Sequence, residues 1–277
     1  MDFIGIIIAC LLVGGVGLLI GILLGVADKF LAVREDEKVA KIRELLPGNN
    51  CGGCGFPGCD GLAKAIAEGT ASVAGCPVGG APVAASIGEI MGKSETVVKK
   101  VAFIKCSGTC DNTKEKFNYS GNMTCADASL VPGNGFKSCD YGCLGLGSCM
   151  SVCDNDAIHI INGVAVVDNE KCFACGKCVK ACPKHLIELV PYDMEYHVAC
   201  SSKDKGKDVK LSCTAGCIGC KLCERNCEQK AITVADNIAS IDYSKCTNCG
   251  TCASKCPSKI ILKKMKDNKD ISSEAVS

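Results

Sequence analysis

A pattern of cysteines repeats along this chain at one fixed distance. Cys139, Cys143, Cys149, Cys153, Cys172, Cys175, Cys178 and Cys182 recur 74 residues later as Cys213, Cys217, Cys223, Cys227, Cys246, Cys249, Cys252 and Cys256. Eight coincidences at one offset mark an internal duplication. The stretches between them agree as well, DAIHIINGVAVVDNEKC against KAITVADNIASIDYSKC. Each reads as two short strands of β-branched residues around a turn, Asn162-Gly163 in the first copy and Asp236-Asn237 in the second. One unit is therefore a cysteine cluster, a short helix, a hairpin, a second cluster and a second short helix.

The local spacing says what the cysteines hold. Cys172-x2-Cys175-x2-Cys178-x3-Cys182-Pro183 and Cys246-x2-Cys249-x2-Cys252-x3-Cys256-Pro257 are bacterial ferredoxin runs, in which the fourth cysteine ligates the other cluster of a pair. Cys217-x2-Cys220-x2-Cys223-x3-Cys227 has the same spacing, with Glu228 in place of proline. Three thiolates at this interval wrap one face of a cubane, and the fourth opens a helix leading to the neighbouring cluster. Zinc sites use two separate C-x2-C pairs instead of runs of four. In the second copy one [4Fe–4S] set is Cys217, Cys220, Cys223 and Cys256, and the other is Cys227, Cys246, Cys249 and Cys252. The first copy departs from the pattern, because Leu146 stands where the second has Cys220. Cys139, four residues before Cys143, is the nearest substitute. The expected sets are then Cys139, Cys143, Cys149 and Cys182, and Cys153, Cys172, Cys175 and Cys178; Cys213 is left over and competes with Cys220.

Composition supports metal-organised modules. There are 26 cysteines in 277 residues, but aromatic residues make up 4% and tryptophan is absent, a poor supply for large apolar cores. Lys and Arg number 31 against 30 Asp and Glu, so no cationic excess exists to neutralise phosphates, and nucleic acid is excluded as a partner.

From Phe3 to Ala27 the sequence FIGIIIACLLVGGVGLLIGILLGVA carries no charge. This predicts a helix long enough to cross about 30 Å of hydrocarbon. A cleaved signal peptide fits less well: Asp2 is the only charge before the run and no A-x-A site follows. Lys29, Arg34, Lys38, Lys41 and Arg43 follow it and favour a cytoplasmic location for the rest of the chain, where disulfides are disfavoured. Gly17, Gly21 and Gly25 recur every fourth residue, either as a face for a partner helix or as the ordinary glycine content of membrane helices. Cys10, inside the run, reads as an apolar filler. One helix forms no ion path.

Between this anchor and the duplication lies LPGNNCGGCGFPGCDGLAKAIAEGTASVAGCPVGG. Cys51, Cys54, Cys59 and Cys76 are four thiols in a loop rich in Gly and Pro, which lets the backbone approach a cluster and donate to its sulfurs. Short helices are expected over Asp60–Glu68 and Pro82–Met91. A structural zinc site is the alternative there.

An uncharged N-terminal helix, then LPGxxCGxCGxPGC with a later Cys-Pro, then ferredoxin runs, resembles the B subunit of the Rnf complex, the ion-translocating ferredoxin:NAD oxidoreductase. The stretch CDYGCLGLGSCMSVC, Leu146 included, is similar to the long form of that subunit in anaerobes, and the likeness extends from Met1 to about Lys264. The resemblance implies a membrane-anchored electron carrier that takes electrons from reduced soluble ferredoxin. It passes them to the other subunits of a complex that drives Na⁺ or H⁺ across the cell membrane. A polyferredoxin subunit of a hydrogenase or formate dehydrogenase is the alternative.

The expected fold is α+β: a transmembrane anchor (1–27), a small [4Fe–4S] domain (28–92), a connecting region (93–138), ferredoxin module 1 (139–190), a connector (191–212), ferredoxin module 2 (213–266) and a polar tail (267–277). Five [4Fe–4S] clusters are expected. Cys106, Cys110, Cys125, Cys200 and Cys213 are left unassigned, as a sixth centre, as thiols that tune a cluster, or as buried inert groups. VAFIKC around Cys106 and YHVAC around Cys200 look like a further echo of the repeat, with an insertion in the first copy. His159, His185 and His197 are expected to be solvated or packed, not ligands. Lysine runs at Lys99, Lys100, Lys105, Lys114 and Lys116, and at Lys259, Lys263, Lys264, Lys266 and Lys269, are either solvated faces or docking surface for an acidic protein. There is no G-x-G-x-x-G after a strand, no P-loop and no Ser-His-Asp-like grouping, so no substrate-converting site of the chain's own is expected.

Overall fold

The computed structural model describes residues 3–31 and 36–263. Helix α1 spans Phe3–Leu31. Its described side chains, Ile4, Ile7 and the run from Leu11 to Val26, are all exposed. Among the described residues no helix is long and apolar enough to cross a membrane. Asp2, Arg34, Lys264, Lys266, Lys269, the tail 267–277 and the side chains of Cys10 and Lys29 lie outside the described residues.

Three helices follow α1 and pack together. Asp36 caps α2 (Glu37–Leu45) by accepting the Lys38 N–H at 3.0 Å. Ile42 and Leu46 pack on Leu62 and Ile66 of α3 (Gly58–Ala67) and on Ile87 of α4 (Gly80–Met91). Cys59 and Cys76 join that core, so the loop thiols stand on a packed apolar base. The two helices read from the sequence are present, each beginning two residues earlier; α2 has no sequence signal strong enough to be read.

Among the described residues, four two-stranded sheets follow. β1 (Lys100–Ile104) is followed by α5 (Cys125–Ser129) and α6 (Ser148–Ser151). Next come the hairpin β2 (Ile158–Ile161) and β3 (Val164–Val167), α7 (Lys177–Ala181), and β4 (Ile187–Pro191), which pairs antiparallel with β1. The second copy runs β5 (Tyr196–Val198), α8 (Gly206–Ser212), α9 (Leu222–Arg225), the hairpin β6 (Ile232–Ala235) and β7 (Ile238–Ile241), α10 (Thr251–Lys255) and β8 (Ile261–Lys263). Here β8 pairs antiparallel with β5. Both hairpins turn on the expected residues. Asn162, Gly163, Asp236 and Asn237 all have positive φ, the type I′ geometry that suits the twist of a two-residue hairpin.

The closing strands carry the repeat beyond its cysteine runs. Ile104 pairs with Ile187 and Val198 pairs with Ile261, so Cys106 and Cys200 each follow two residues after equivalent positions. β1 ties the 93–138 segment to the first ferredoxin unit, and β5 ties the 191–212 segment to the second. Small cores lie beneath the sheets: Ala102, Ile104, Ile158, Val164 and Leu186 in one unit, Val198, Ile232, Ala239 and Ile260 in the other. The units meet along a seam. Phe103 lies against His197 (centroids 4.7 Å apart), Thr113 Oγ1 donates to Ser212 O (2.8 Å), and Thr214 Oγ1 donates to Asn112 Oδ1 (2.7 Å). His197 is packed as expected: Nε2 donates to Met194 O at 3.0 Å, which leaves Nδ1 to accept from the Tyr243 hydroxyl at 2.9 Å.

Candidate metal centres

Each unit holds two cavities of 340 to 360 Å³, counting the space at their mouths, and cysteines surround all four. In the second unit one cavity is lined by Cys217, Cys220, Cys223 and Cys256, and the other by Cys227, Cys246, Cys249 and Cys252. In the first, Cys153, Cys172, Cys175 and Cys178 line one cavity. The fold thus brings together three of the sets read from the spacing.

The fourth group differs. Cys143, Cys149 and Cys182 share their cavity with Cys125, not Cys139. The expected assignment of Cys139 is thus displaced: it lines another cavity, together with Cys106, Cys200 and Cys213. A turn closed by Gly142 N–H on Cys139 O (3.1 Å) separates Cys139 from Cys143, despite their nearness in sequence. Cys125 opens α5, in an insertion that the second copy lacks. Its backbone N–H donates to Ser148 Oγ (2.9 Å) beside the cavity, and Leu146 packs with Ala128, Phe136 and Leu144 in a small core under the same insertion. Leu146 thus packs against the segment that carries Cys125. The second copy also separates its two candidates: Cys220 lines the ferredoxin cavity and Cys213 does not.

Short helices fix the distance between paired cavities. Cys149 sits on α6 and Cys153 two residues after it, and Cys178 and Cys182 sit on and just after α7; four residues of helix rise about 6 Å. α9 and α10 do the same for Cys223 and Cys227, and for Cys252 and Cys256. The Cys51 loop abuts this array. A Cβ on Gly53 would lie 2.6 Å from Cys175 O, so only glycine allows the two loops to approach.

The donor set fits iron–sulfur cubanes. Thiols surround each cavity, and among the described residues no three His, Cys, Asp or Glu side chains close on a point suited to a single ion. Backbone N–H groups are aimed at the sulfurs: Ala157 at Cys153 (3.4 Å), Ala231 at Cys227 (3.3 Å), Leu186 at Cys182 (3.5 Å) and Gly79 at Cys76 (3.3 Å). Burial pushes the Cys149 and Cys178 thiols up to about 12 and that of Cys223 to about 11, with neighbouring thiols adding to the rise. Groups so reluctant to ionise alone become thiolates when a cationic core neutralises them. Cys249 is the opposite case: it is exposed, and hydrogen bonds from Thr251 lower its pKa.

Comparison with known proteins agrees with this chemistry. Residues 46–78 match a putative Fe-S cluster family, residues 139–193 an LdpA Fe-S cluster-binding domain, and residues 216–260 a 4Fe-4S dicluster domain. The B subunit of the Na(+)-translocating ferredoxin:NAD(+) oxidoreductase complex of Acetobacterium woodii is 49% identical over 89% of this chain and 74% of its own length. The chain belongs to the family of Rnf complex B subunits. Further relatives are the B subunits of the ion-translocating oxidoreductase complex of Methanosarcina acetivorans and of the proton-translocating ferredoxin:NAD(+) oxidoreductase complex of Clostridium ljungdahlii. The first is 41% identical over 89% of the chain and 94% of its own length, the second 36% identical over 87% of each. An Rnf-type B subunit of this kind is an iron–sulfur component of an ion-translocating oxidoreductase complex. Cys106, Cys125, Cys200 and Cys213 fall outside all three matched spans.

Proposed function

We propose that this Rnf-type chain carries electrons from reduced ferredoxin to the other subunits of an ion-translocating ferredoxin:NAD oxidoreductase, through [4Fe–4S] clusters at the Cys51 loop and in the four ferredoxin cavities. The carrying observation is the set of four matched cavities, each ringed by four cysteines and joined in pairs by two short helices. Bound there, [4Fe–4S] clusters supply one-electron storage over the range of potentials open to thiolate-ligated cubanes. The residues holding them are Cys51, Cys54, Cys59 and Cys76; Cys125, Cys143, Cys149 and Cys182; Cys153, Cys172, Cys175 and Cys178; Cys217, Cys220, Cys223 and Cys256; and Cys227, Cys246, Cys249 and Cys252.

The chain's own contribution is spacing, burial and access. Cys149, Cys178, Cys217, Cys223 and Cys252 are buried in their cavities, whereas exposed Cys249 opens the last cavity to a soluble donor. Exposed Lys230 and Lys255 stand three residues from Cys227 and Cys252, a cationic border suited to an acidic ferredoxin. In this reading α1 anchors the chain in the cell membrane with the soluble part in the cytoplasm, and sites for NAD and the transported ion lie on other subunits. The names of relatives include both a sodium and a proton coupling, which agrees with ion choice being made elsewhere in the complex. The test is anaerobic mixing of the full chain, in detergent, with reduced ferredoxin. Visible bleaching of the chain's clusters that slows as salt rises is expected. Iron-loaded protein that ferredoxin leaves oxidised, although dithionite reduces it, would refute the reading.

A further inference from the structure

We propose that Cys106, Cys139, Cys200 and Cys213 hold a sixth [4Fe–4S] cluster at the seam between the two ferredoxin units. All four line one cavity of about 370 Å³, the size of the four ferredoxin cavities. They come as two equivalent pairs. Cys139 and Cys213 are related by the 74-residue repeat. Cys106 and Cys200 are related by strand register, each two residues beyond a β1 or β5 position that pairs with an equivalent isoleucine, Ile187 or Ile261.

The backbone treats the four sulfurs alike. Each receives the N–H of the residue two places on: Gly108 for Cys106 (3.3 Å), Tyr141 for Cys139, Ser202 for Cys200 and Ala215 for Cys213. Two further bonds run outwards to the neighbouring cavities. Cys143 N–H donates to Cys106 Sγ and Cys217 N–H donates to Cys200 Sγ, both at 3.3 Å. The Gly108 backbone lies between the two pairs, since a Cβ there would touch both Cys106 Sγ (3.4 Å) and Cys213 Sγ (3.8 Å). The buried Lys137 ammonium donates to Gly108 O (3.2 Å), and its positive charge offsets part of the rise that burial imposes on the Cys213 thiol pKa. The cysteines are free, not paired as disulfides.

The position follows from the two outward hydrogen bonds. One flank is the Cys125–Cys143–Cys149–Cys182 cavity and the other the Cys217–Cys220–Cys223–Cys256 cavity. The sites thus run in one line from the Cys51 loop to the Cys249 end, with the sixth joining what are otherwise two separate pairs. This order deepens the electron-carrying reading; the site itself stands on the thiols alone.

The test is iron and acid-labile sulfide on the anaerobically purified full chain, wild type against Cys139→Ala/Cys213→Ala, with Cys110→Ala as control. About 24 of each is expected for wild type and control and about 20 for the double variant, four per cubane. The double variant should also lose one reducible spin by EPR. Equal iron and equal spin in wild type and double variant would overturn the proposal. If the double variant loses more than four irons, Cys200→Ser alone decides. A three-iron EPR signal or a loss of one to four irons supports the site, and an unchanged spectrum and iron content rejects it. An empty ferredoxin cavity would lower every total but leave the four-iron step intact, so failure of the five-cluster reading is distinguishable.

Discussion

Cys125 and Leu146 make a sharp test of how the first ferredoxin unit completes its four-thiol set. Replacing Cys125 with Ala leaves Cys143, Cys149 and Cys182 around the cavity. A cubane with three protein ligands loses one iron or falls apart, so iron should drop by between about one and about four per chain. The second copy shows the remedy, because Cys220 occupies the repeat position of Leu146 and does line its cavity. Adding Leu146→Cys to Cys125→Ala should therefore restore the full iron content. Its cost is small: Leu146 is half-buried against Phe136 and Leu144, and trimming it by about two carbons at partial burial costs about 1 kcal/mol. That is minor beside the folding free energy that metal ligation contributes to such sites. The assay is anaerobic iron and sulfide analysis with EPR of the dithionite-reduced protein, for Cys125→Ala, for the rescue pair and for Leu146→Cys alone. Full iron in Cys125→Ala would refute the assignment of Cys125, as would a rescue pair no better than the single variant once both are shown folded by circular dichroism.

Two other expectations come from neighbours of the centres. Lys137 is 3% exposed and its ammonium also donates to Gly163 O at 2.7 Å. Lys137→Met removes a positive charge that favours the more negative, reduced state. It should lower the midpoint potential of an adjoining centre by about 40–90 mV, which is about 1–2 kcal/mol at an effective dielectric constant near 20. EPR-monitored titration with unchanged iron and unchanged potentials would count against it. At Gly53, a valine would drive its Cβ into the Cys175 backbone, an overpacking cost of about 1–3 kcal/mol. Iron content should hold, while hydrogen exchange rises in the 51–58 and 172–176 loops; unaltered exchange there would mean that the two loops do not depend on their contact.

What is legible in the sequence is what depends on neighbours in the chain. Runs of cysteine two and three residues apart place ligands around one loop and one helix turn, and the I′ hairpins are set by two residues each. The differences come from contacts that no local window contains. Cys106 and Cys200 are brought to the seam by β1 on β4 and β5 on β8, the latter strands only three residues each, too short to show a period. Cys125 escapes for another reason: its insertion breaks the 74-residue offset. From Cys106 to Cys143 is 37 residues, but from Cys200 to Cys217 is 17, so the first copy has 20 extra residues and nothing to align them with. Nearness to Cys143 favours Cys139 in the sequence, and the Cys139–Gly142 turn makes that nearness misleading.

The same insertion and the same strands explain why duplication matters here. A single ferredoxin unit of this kind completes its two cavities from its own cysteines, with Cys125 substituting where Leu146 has taken a packing role. It cannot complete the seam cavity, because each copy brings only two thiols to it, Cys106 and Cys139 from one and Cys200 and Cys213 from the other. Burial first, and then the neighbouring thiols of both copies, raise the Cys139 pKa to about 11, so these thiols ionise together only around a cationic core. Doubling the unit turns two such half-sites into one four-thiol site at the place where the two pairs of centres would otherwise be separated. With it, the proposed sites would take in 24 of the 26 cysteines and leave Cys10 and Cys110 outside. Cys110 is exposed on the first unit, where an unligated thiol loses nothing by facing water.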